Sequence, residues 1–298
     1  MNPEIKDLLK PEILNTVSGL ELVARIIVEG FMSGSNKSQS IGAGQEFSQY
    51  KNYHPGDDLR QLDWKMFARS ERYYIKQSEI ETNITVKFML DASQSMSHQE
   101  DGLSKFYFAK AMIAALAYLA RKQSDTFGLY VVNDQHIHSV EPRFEQQQFM
   151  RFLNELVSVK SESTWKKGPE LERVYNHHGK ELIVFITDLY DDDQDLQKFI
   201  GRLKTPRNEV IVFHLIGKKE MELSHDGAFT FEDLETGQRI KVDTRTQQKK
   251  YATAISEWIA ASRNWMLEKQ VNYQLVSIDE PVEKMLRSFL TIRKKLIR

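Results

Sequence analysis

The chain contains no cysteine, which removes a disulfide framework, thiol catalysis and cysteine-ligated zinc together. It fits a reducing compartment, and a cytoplasmic location is the expectation. An excess of charge of one sign is also missing: 41 Lys and Arg face 42 Asp and Glu, for a net charge of −1. No global field then draws the protein to nucleic acid or to an anionic membrane, so a partner must be recognised locally. Long hydrophobic runs are absent too. The most apolar stretch, 111–120, lies between Lys110 and Arg121; it is too short to span a bilayer and reads as a buried amphipathic helix. The start, Met1-Asn2-Pro3-Glu4-Ile5-Lys6-Asp7, has early charges and no apolar core before a small-residue cleavage site, so neither a signal peptide nor membrane insertion is expected. Nucleotide motifs are missing as well. There is no Gly-x-x-x-x-Gly-Lys-Ser/Thr loop, and Gly42-Ala43-Gly44-Gln45-Glu46-Phe47 lacks the third glycine of a dinucleotide fingerprint; ATP binding by this chain is not expected.

What is present is 298 residues, 41% of them hydrophobic, enough for one large core or a core with an appended module. Residues 1–80 read as an N-terminal mixed α/β region, with helical apolar spacing over 20–31 and a Ser/Gly/Asn-rich loop over 33–44. From residue 84 short apolar strands alternate with amphipathic helices, the order of a mostly parallel sheet wrapped by helices, so the fold class is α/β. The spacing predicts strands at 84–90, 126–132, 182–187, 210–216 and 273–278 and helices at 105–122, 146–159, 195–204, 247–269 and 282–295. An edge hairpin is expected at 136–142. Another, turning at Glu235-Thr236-Gly237-Gln238, makes an insertion around 222–243 in a main domain of 81–298.

The chemistry gathers at strand ends. The first buried strand runs into Asp91-Ala92-Ser93-Gln94-Ser95, three small oxygen-bearing side chains at alternate positions, where open α/β sheets collect ligands. A carboxylate with two hydroxyls is a hard-oxygen set suited to Mg²⁺ or Mn²⁺ and unsuited to zinc or copper. One loop cannot complete six coordination positions. Asp188, after the strand 182–187, offers a second carboxylate at the same edge, and Thr164 lies in the polar loop Ser161-Glu162-Ser163-Thr164-Trp165. The structural alternative is a strand-ending turn whose Asp and Ser cap the following helix.

These residues resemble the von Willebrand factor A fold, whose metal-ion-dependent adhesion site joins Asp-x-Ser-x-Ser to a Thr and an Asp from later loops. More closely, the chain resembles the bacterial family called domain of unknown function 58, through Gly44-Gln45-Glu46-Phe47, Tyr53-x-x-Gly56-Asp57-Asp58-x-Arg60-x-x-Asp63-Trp64, Asp91-x-Ser93-x-Ser95-Met96 and Asp233-x-Glu235-Thr236-Gly237. That resemblance implies a von Willebrand factor A-like (Rossmann-like) domain and metal ligands Asp91, Ser93, Ser95, Thr164 and Asp188. It also implies a partner, an ATPase of the MoxR branch of the AAA+ superfamily. Two positions depart from the pattern: Glu162-Ser163 stand where glycines usually precede the Thr, and Ile216-Gly217-Lys218-Lys219 where an Asp-Pro pair usually follows the strand.

The expected function is therefore a non-enzymatic protein-binding module acting with that ATPase in complex assembly or maturation, with a partner Asp or Glu reaching the ion. The competing expectation is a metal-dependent phosphatase or nuclease using Asp91 and Asp188; a phosphatase with Asp91 as nucleophile would carry an acid two residues on, where Ser93 stands. Other features read as structure. Asp191-Asp192-Asp193 suits a solvated face, and Asp57 or Asp58 a helix start with Trp64 packing inward. His136-x-His138 lacks a third ligand for zinc, and the basic tail from Arg293 suits a helix C-terminus.

Overall fold

The computed structural model describes residues 8–36, 47–53, 62–78, 83–133, 137–162, 164–165, 174–175, 180–190, 195–223, 227–234 and 236–297. In chain order the elements are α1 (Pro11–Leu14), α2 (Val17–Asn36), β1 (Phe47–Asn52), α3 (Trp64–Ser70), β2 (Tyr74–Ser78), β3 (Thr85–Asp91), β4 (Gln99–Glu100), β5 (Leu103–Ser104), α4 (Lys105–Lys122), β6 (Thr126–Val132), β7 (Ile137–Arg143), α5 (Gln148–Ser158), β8 (Glu181–Thr187), α6 (Asp195–Leu203), β9 (Asn208–Ile216), α7 (Lys218–Glu222), β10 (Ala228–Glu232), β11 (Arg239–Asp243), α8 (Thr244–Glu268), β12 (Asn272–Ser277) and α9 (Glu283–Ile297).

Two compact units emerge, one of Met1–Phe31 with Asn83–Arg298 and one of Met32–Thr82. The sequence reading assigns 1–80 to a single N-terminal region; instead its first helices go with the larger unit. Leu20, Val23, Ala24, Ile27 and Val28 of α2 share a helical stripe and are buried, and Asn15 donates to the Tyr107 hydroxyl of α4 at 3.0 Å. α2 also continues through Asn36, into the segment read as loop, because extending a formed helix costs far less than starting one. The rest of that expected loop lies outside the described residues.

In the smaller unit β1 and β2 pair antiparallel, with a register shift between Phe47 and Gln49. Asp63 caps α3, accepting from the Lys65 and Met66 amides at 2.9 and 3.0 Å. Trp64 does not pack inward: as the first helical residue after the cap it is 63% exposed. Asp57 and Asp58 lie outside the described residues.

The larger unit is built on a six-stranded sheet of order β12-β9-β8-β3-β6-β7, parallel except for β7, which runs antiparallel to β6. The segment expected as an edge hairpin is this single edge strand, closing a hairpin with β6. β8 is buried along its whole length and β3 in all but its first residue, the continuous apolar run of a strand covered on both faces. On one face Met89, Phe185 and Val212 pack with Leu196, Phe199 and Leu203 of α6. On the other, Phe88 meets Phe152 of α5 and Phe289 of α9 at ring distances of 5.8 and 6.3 Å; burying such a ring stabilises by about 1.5–3 kcal/mol. After β3 the chain winds one way, to β6 and β7, then crosses back to place β8 on β3's other side. Strand order therefore reverses between β3 and β8, and the carboxyl ends of those two strands form the crevice where such sheets bind ligands. The β10–β11 hairpin stands apart, Phe229 opposite Val242 and Phe231 opposite Ile240, with most of its residues exposed. No helix of the described residues is long and apolar enough to cross a membrane.

Candidate metal centre

Asp91 ends β3 and Asp188 directly follows β8, neighbouring strands in register from Thr85 opposite Glu181 to Leu90 opposite Ile186. Asp91 turns its own loop: its Oδ1 accepts from the Ser93 amide at 2.9 Å. A four-residue 3₁₀ helix, Gln94–Ser97, follows, and Ser93 at its start makes no side-chain cap. The capping alternative therefore fails for this serine. Its hydroxyl instead lies 3.0 Å from Ser95 Oγ, and Ser95 donates to Asp188 Oδ1 at 3.1 Å. Asp91, Ser93, Ser95 and Asp188 thus form one buried, hydrogen-bonded group. Leu189, just after Asp188, has φ +58°, a left-handed backbone uncommon for a leucine and typical of a turn that aims a functional side chain.

Thr164 is exposed, and among the described residues it makes no hydrogen bond to the four. Its neighbours are held: Glu162 donates its amide to the Ala92 carbonyl at 2.9 Å, and Trp165 packs on Phe199 at 5.2 Å. The threonine in contact is Thr187, whose hydroxyl donates to Asp91 Oδ2 at 2.7 Å and accepts from the Leu189 amide at 3.0 Å. Sequence reasoning passed over it as a strand residue, although its place beside Asp188 was a usable signal.

It also missed Lys105 and Glu220. The Lys105 ammonium lies 3.1 Å from Asp188 Oδ2 and 2.9 Å from Glu220 Oε1, its side chain only 3% exposed. Burial opposes its charge, but Asp188 and Glu220 outweigh that and hold it above the usual lysine range. Burial, and then the Asp188 charge, push Asp91 up to about 7, against the hydrogen bonds from Thr187 and Ser93. Behind them burial drives His214 down to about 3, with Lys105 adding to the effect and Asp188 opposing it. His214 Nδ1 lies 2.7 Å from the Tyr273 hydroxyl, while among the described residues its Nε2 has no hydrogen-bond partner.

The donors around Asp91 and Asp188 are two carboxylates and three hydroxyls, hard oxygens that suit Mg²⁺ or Mn²⁺ in kind. Two acids buried together, one of them pushed up by the other, are an arrangement that a cation relieves. Among the described residues no group of three or more His, Cys, Asp or Glu converges on one point, so any ion here draws mainly on hydroxyls and two acids. What exposure the group has lies with Ser95 and Asp188, at 8% and 4% against 0% for Asp91 and Ser93. Beside it Tyr190, whose amide donates to Asp188 Oδ1 at 3.3 Å, gives its hydroxyl to Asp233. Asp233 in turn holds the hairpin turn through the Thr236 and Gly237 amides. The Asp233-x-Glu235-Thr236-Gly237 motif therefore ties the hairpin to the site loop; Glu235 itself, like Gly56 to Arg60 and Asp191 to Asp193, lies outside the described residues.

A mostly parallel α/β sheet with paired acids and serines at its switch point defines the class. The chain belongs to the family described as "Protein of unknown function DUF58", whose model matches residues 49–260. It is 22% identical to "Uncharacterized protein Rv1480" of Mycobacterium tuberculosis (strain ATCC 25618 / H37Rv) over 237 residues, 78% of this chain and 74% of that one. Solved structures it resembles include the conserved hypothetical protein BatB from Bacteroides thetaiotaomicron, at 14% identity and TM-score 0.45, covering 72% of this chain and 100% of that one. A von Willebrand factor type A protein from Catenulispora acidiphila matches at 12% identity and TM-score 0.38, over 70% of this chain and 42% of that one. At such values the likeness says nothing of the site. The fold is a mostly parallel α/β sheet flanked by helices, with von Willebrand factor A domains among its structural neighbours.

Proposed function

We propose that this protein is a non-enzymatic binding module whose Asp91–Asp188 site holds Mg²⁺ or Mn²⁺ and uses it to grip another protein. The observation that carries this reading is the pair of buried acids at the ends of neighbouring strands, with Asp91 pushed up to about 7 and joined to Asp188 through Ser93 and Ser95. Asp91, Ser93, Ser95 and Asp188 would hold the ion, Thr187 would steady Asp91, and Thr164 would be a further hydroxyl, on the loop that Glu162 ties to Ala92. The bound ion would offer a Lewis-acidic position to an incoming carboxylate. A partner's Asp or Glu would reach it by the Ser95–Asp188 side, where the exposure of the described group lies, beside Tyr190.

Family membership supports a MoxR-type AAA+ ATPase as that partner, the energy source for a chain without a nucleotide motif of its own. The setting is cytoplasmic in this reading. Sedimentation of the purified protein with such an ATPase, in Mg²⁺ and in chelator, tests it. A complex in Mg²⁺ that dissociates in chelator and is lost in Asp91→Ala supports the reading, and no complex in any nucleotide state refutes it.

A further inference from the structure

Lys105 sits where its own helix does not favour it. It is the first residue of the 18-residue α4, capped by Ser104 through the Tyr107 amide, and a cation at a helix N-terminus opposes the helix dipole. It is nevertheless buried, and acids supplied by two other segments hold it there. Asp188 Oδ2 lies 3.1 Å from its ammonium, and both Glu220 oxygens lie 2.9 Å away. Glu220 is fixed in turn. Its carboxylate accepts from the Gly217 amide at 3.0 Å, while Glu100 receives the Lys219 and Glu220 amides at 3.0 and 2.9 Å. A Cβ on Gly217 would lie 2.0 Å from Glu100 Oε1, so only glycine lets that carboxylate reach the start of α7.

We propose that Lys105 is the resident cation of this site, and that its ammonium and a divalent ion are alternative partners of Asp188. This rests on the reading of the site as one for divalent cations. Without the ion, Lys105 shares its charge between Asp188 and Glu220. With the ion, Asp188 passes to the metal and Lys105 keeps Glu220, so each acid group retains a cation: Asp91 and Asp188 face two positive charges, Glu220 faces one. An ammonium and a dication on one buried carboxylate repel each other in a medium that screens weakly, which is why they exchange rather than share. Glu220, fixed by the Gly217 amide and with a side chain 30% exposed against 3% for Asp188, is the acid that keeps the lysine in place. The exchange would release Lys105 from Asp188 at the end of β8 while its pairing with Glu220 of α7 stays in place.

The test is Mn²⁺ binding by calorimetry, with melting curves in chelator and in Mn²⁺, for the full chain and for Lys105→Met and Glu220→Gln. Lys105→Met is expected to bind Mn²⁺ at least tenfold more tightly than the unaltered protein and to melt lower in chelator, with the loss restored by the ion. Glu220→Gln, which leaves the lysine no acid but Asp188, is expected to bind Mn²⁺ several-fold more weakly; it also decides the matter should Lys105→Met not fold. Unchanged or weaker binding in Lys105→Met, or unchanged binding in Glu220→Gln, overturns the assignment. If only Lys105→Met takes up Mn²⁺, the ion-dependent grip proposed above fails while the role of Lys105 stands. If all three proteins bind equally, the ion site stands and the role of Lys105 falls.

Discussion

Two buried sets of charges lie along the same pair of strands, and they are arranged differently. Inside the sheet, Lys87 of β3 meets Glu181 of β8 at 3.1 Å, both almost wholly buried, and the Lys87 ammonium also donates to the Val174 carbonyl at 3.3 Å. Nearby, Asp125 takes Arg293 on both oxygens at 2.5 and 2.7 Å and accepts the Ile84 amide at 3.2 Å. Each acid there has its own base. At the carboxyl end Asp188 and Glu220 share one ammonium, Asp91 lies buried beside Asp188, and among the described residues His214 Nε2 has no hydrogen-bond partner. Matched pairs are explained by register and packing alone, whereas a surplus of buried acid costs stability that folding does not recover and that an outside charge can relieve.

The strongest way to break the comparison is to unmatch the matched pair. Glu181→Ala removes the carboxylate that Lys87 meets in the sheet interior, and urea unfolding should show a loss of about 3–5 kcal/mol, with the double variant Lys87→Met/Glu181→Leu recovering most of it. A loss within experimental error would mean that the sheet interior tolerates charge, and the contrast would disappear. Next in size is the effect of the ion. Mg²⁺ or Mn²⁺ at about a hundredfold excess over its Kd should stabilise the protein by about 2.7 kcal/mol, read as a rise in Tm that chelator removes and Asp91→Ala abolishes. Asp188→Asn should abolish it as well.

Smaller is the effect of Asp91→Asn without divalent ion, and its sign is opposite to that of Glu181→Ala. An acid whose pKa rises from 3.8 to about 7 on folding favours the fold while protonated, so its contribution is full below pH 3.8 and is lost as pH climbs to about 7. At pH 8 Asp91→Asn should therefore be more stable than the unaltered protein by about 1–3 kcal/mol, with the gain vanishing below pH 4. His214, held down to about 3, works the other way: its contribution is present above pH 6.5 and is lost as pH falls toward 3, in both proteins alike, so it cancels in the difference. A pH-independent difference would show that Asp91 is not the strained member. The smallest effects are expected where the sequence pointed and the structure shows exposure. Trp64→Ala and Thr164→Ala should each change stability by no more than about 0.5 kcal/mol, and Thr164→Ala should leave Mn²⁺ affinity unchanged in titration calorimetry.

Much of this molecule was legible in one dimension, because burial on both faces writes a continuous apolar run and a wrapped helix writes a 3.6-residue period. α4 and β6 fall at the bounds that the spacing predicts, and β3, β8, β9 and β12 begin and end within one or two residues of them. Asp91, Ser93, Ser95 and Asp188 were legible for a related reason: each sits at or just after a strand end, where the chain must turn and polar side chains can converge. What the spacing could not show is which distant residues complete the group. Lys105 is 83 residues from Asp188 and 115 from Glu220, and only the strand order that sets β8 beside β3, with α4 returning across the same edge, brings the three charges together. Trp64 fails from the opposite side. Its identity was right for a core residue, but orientation belongs to the packing around a side chain, and a local pattern does not contain it. The alternation of strands and helices was thus enough to specify a parallel sheet and the edge where its chemistry lies, while the balance of charge at that edge was decided by contacts between residues far apart in the chain.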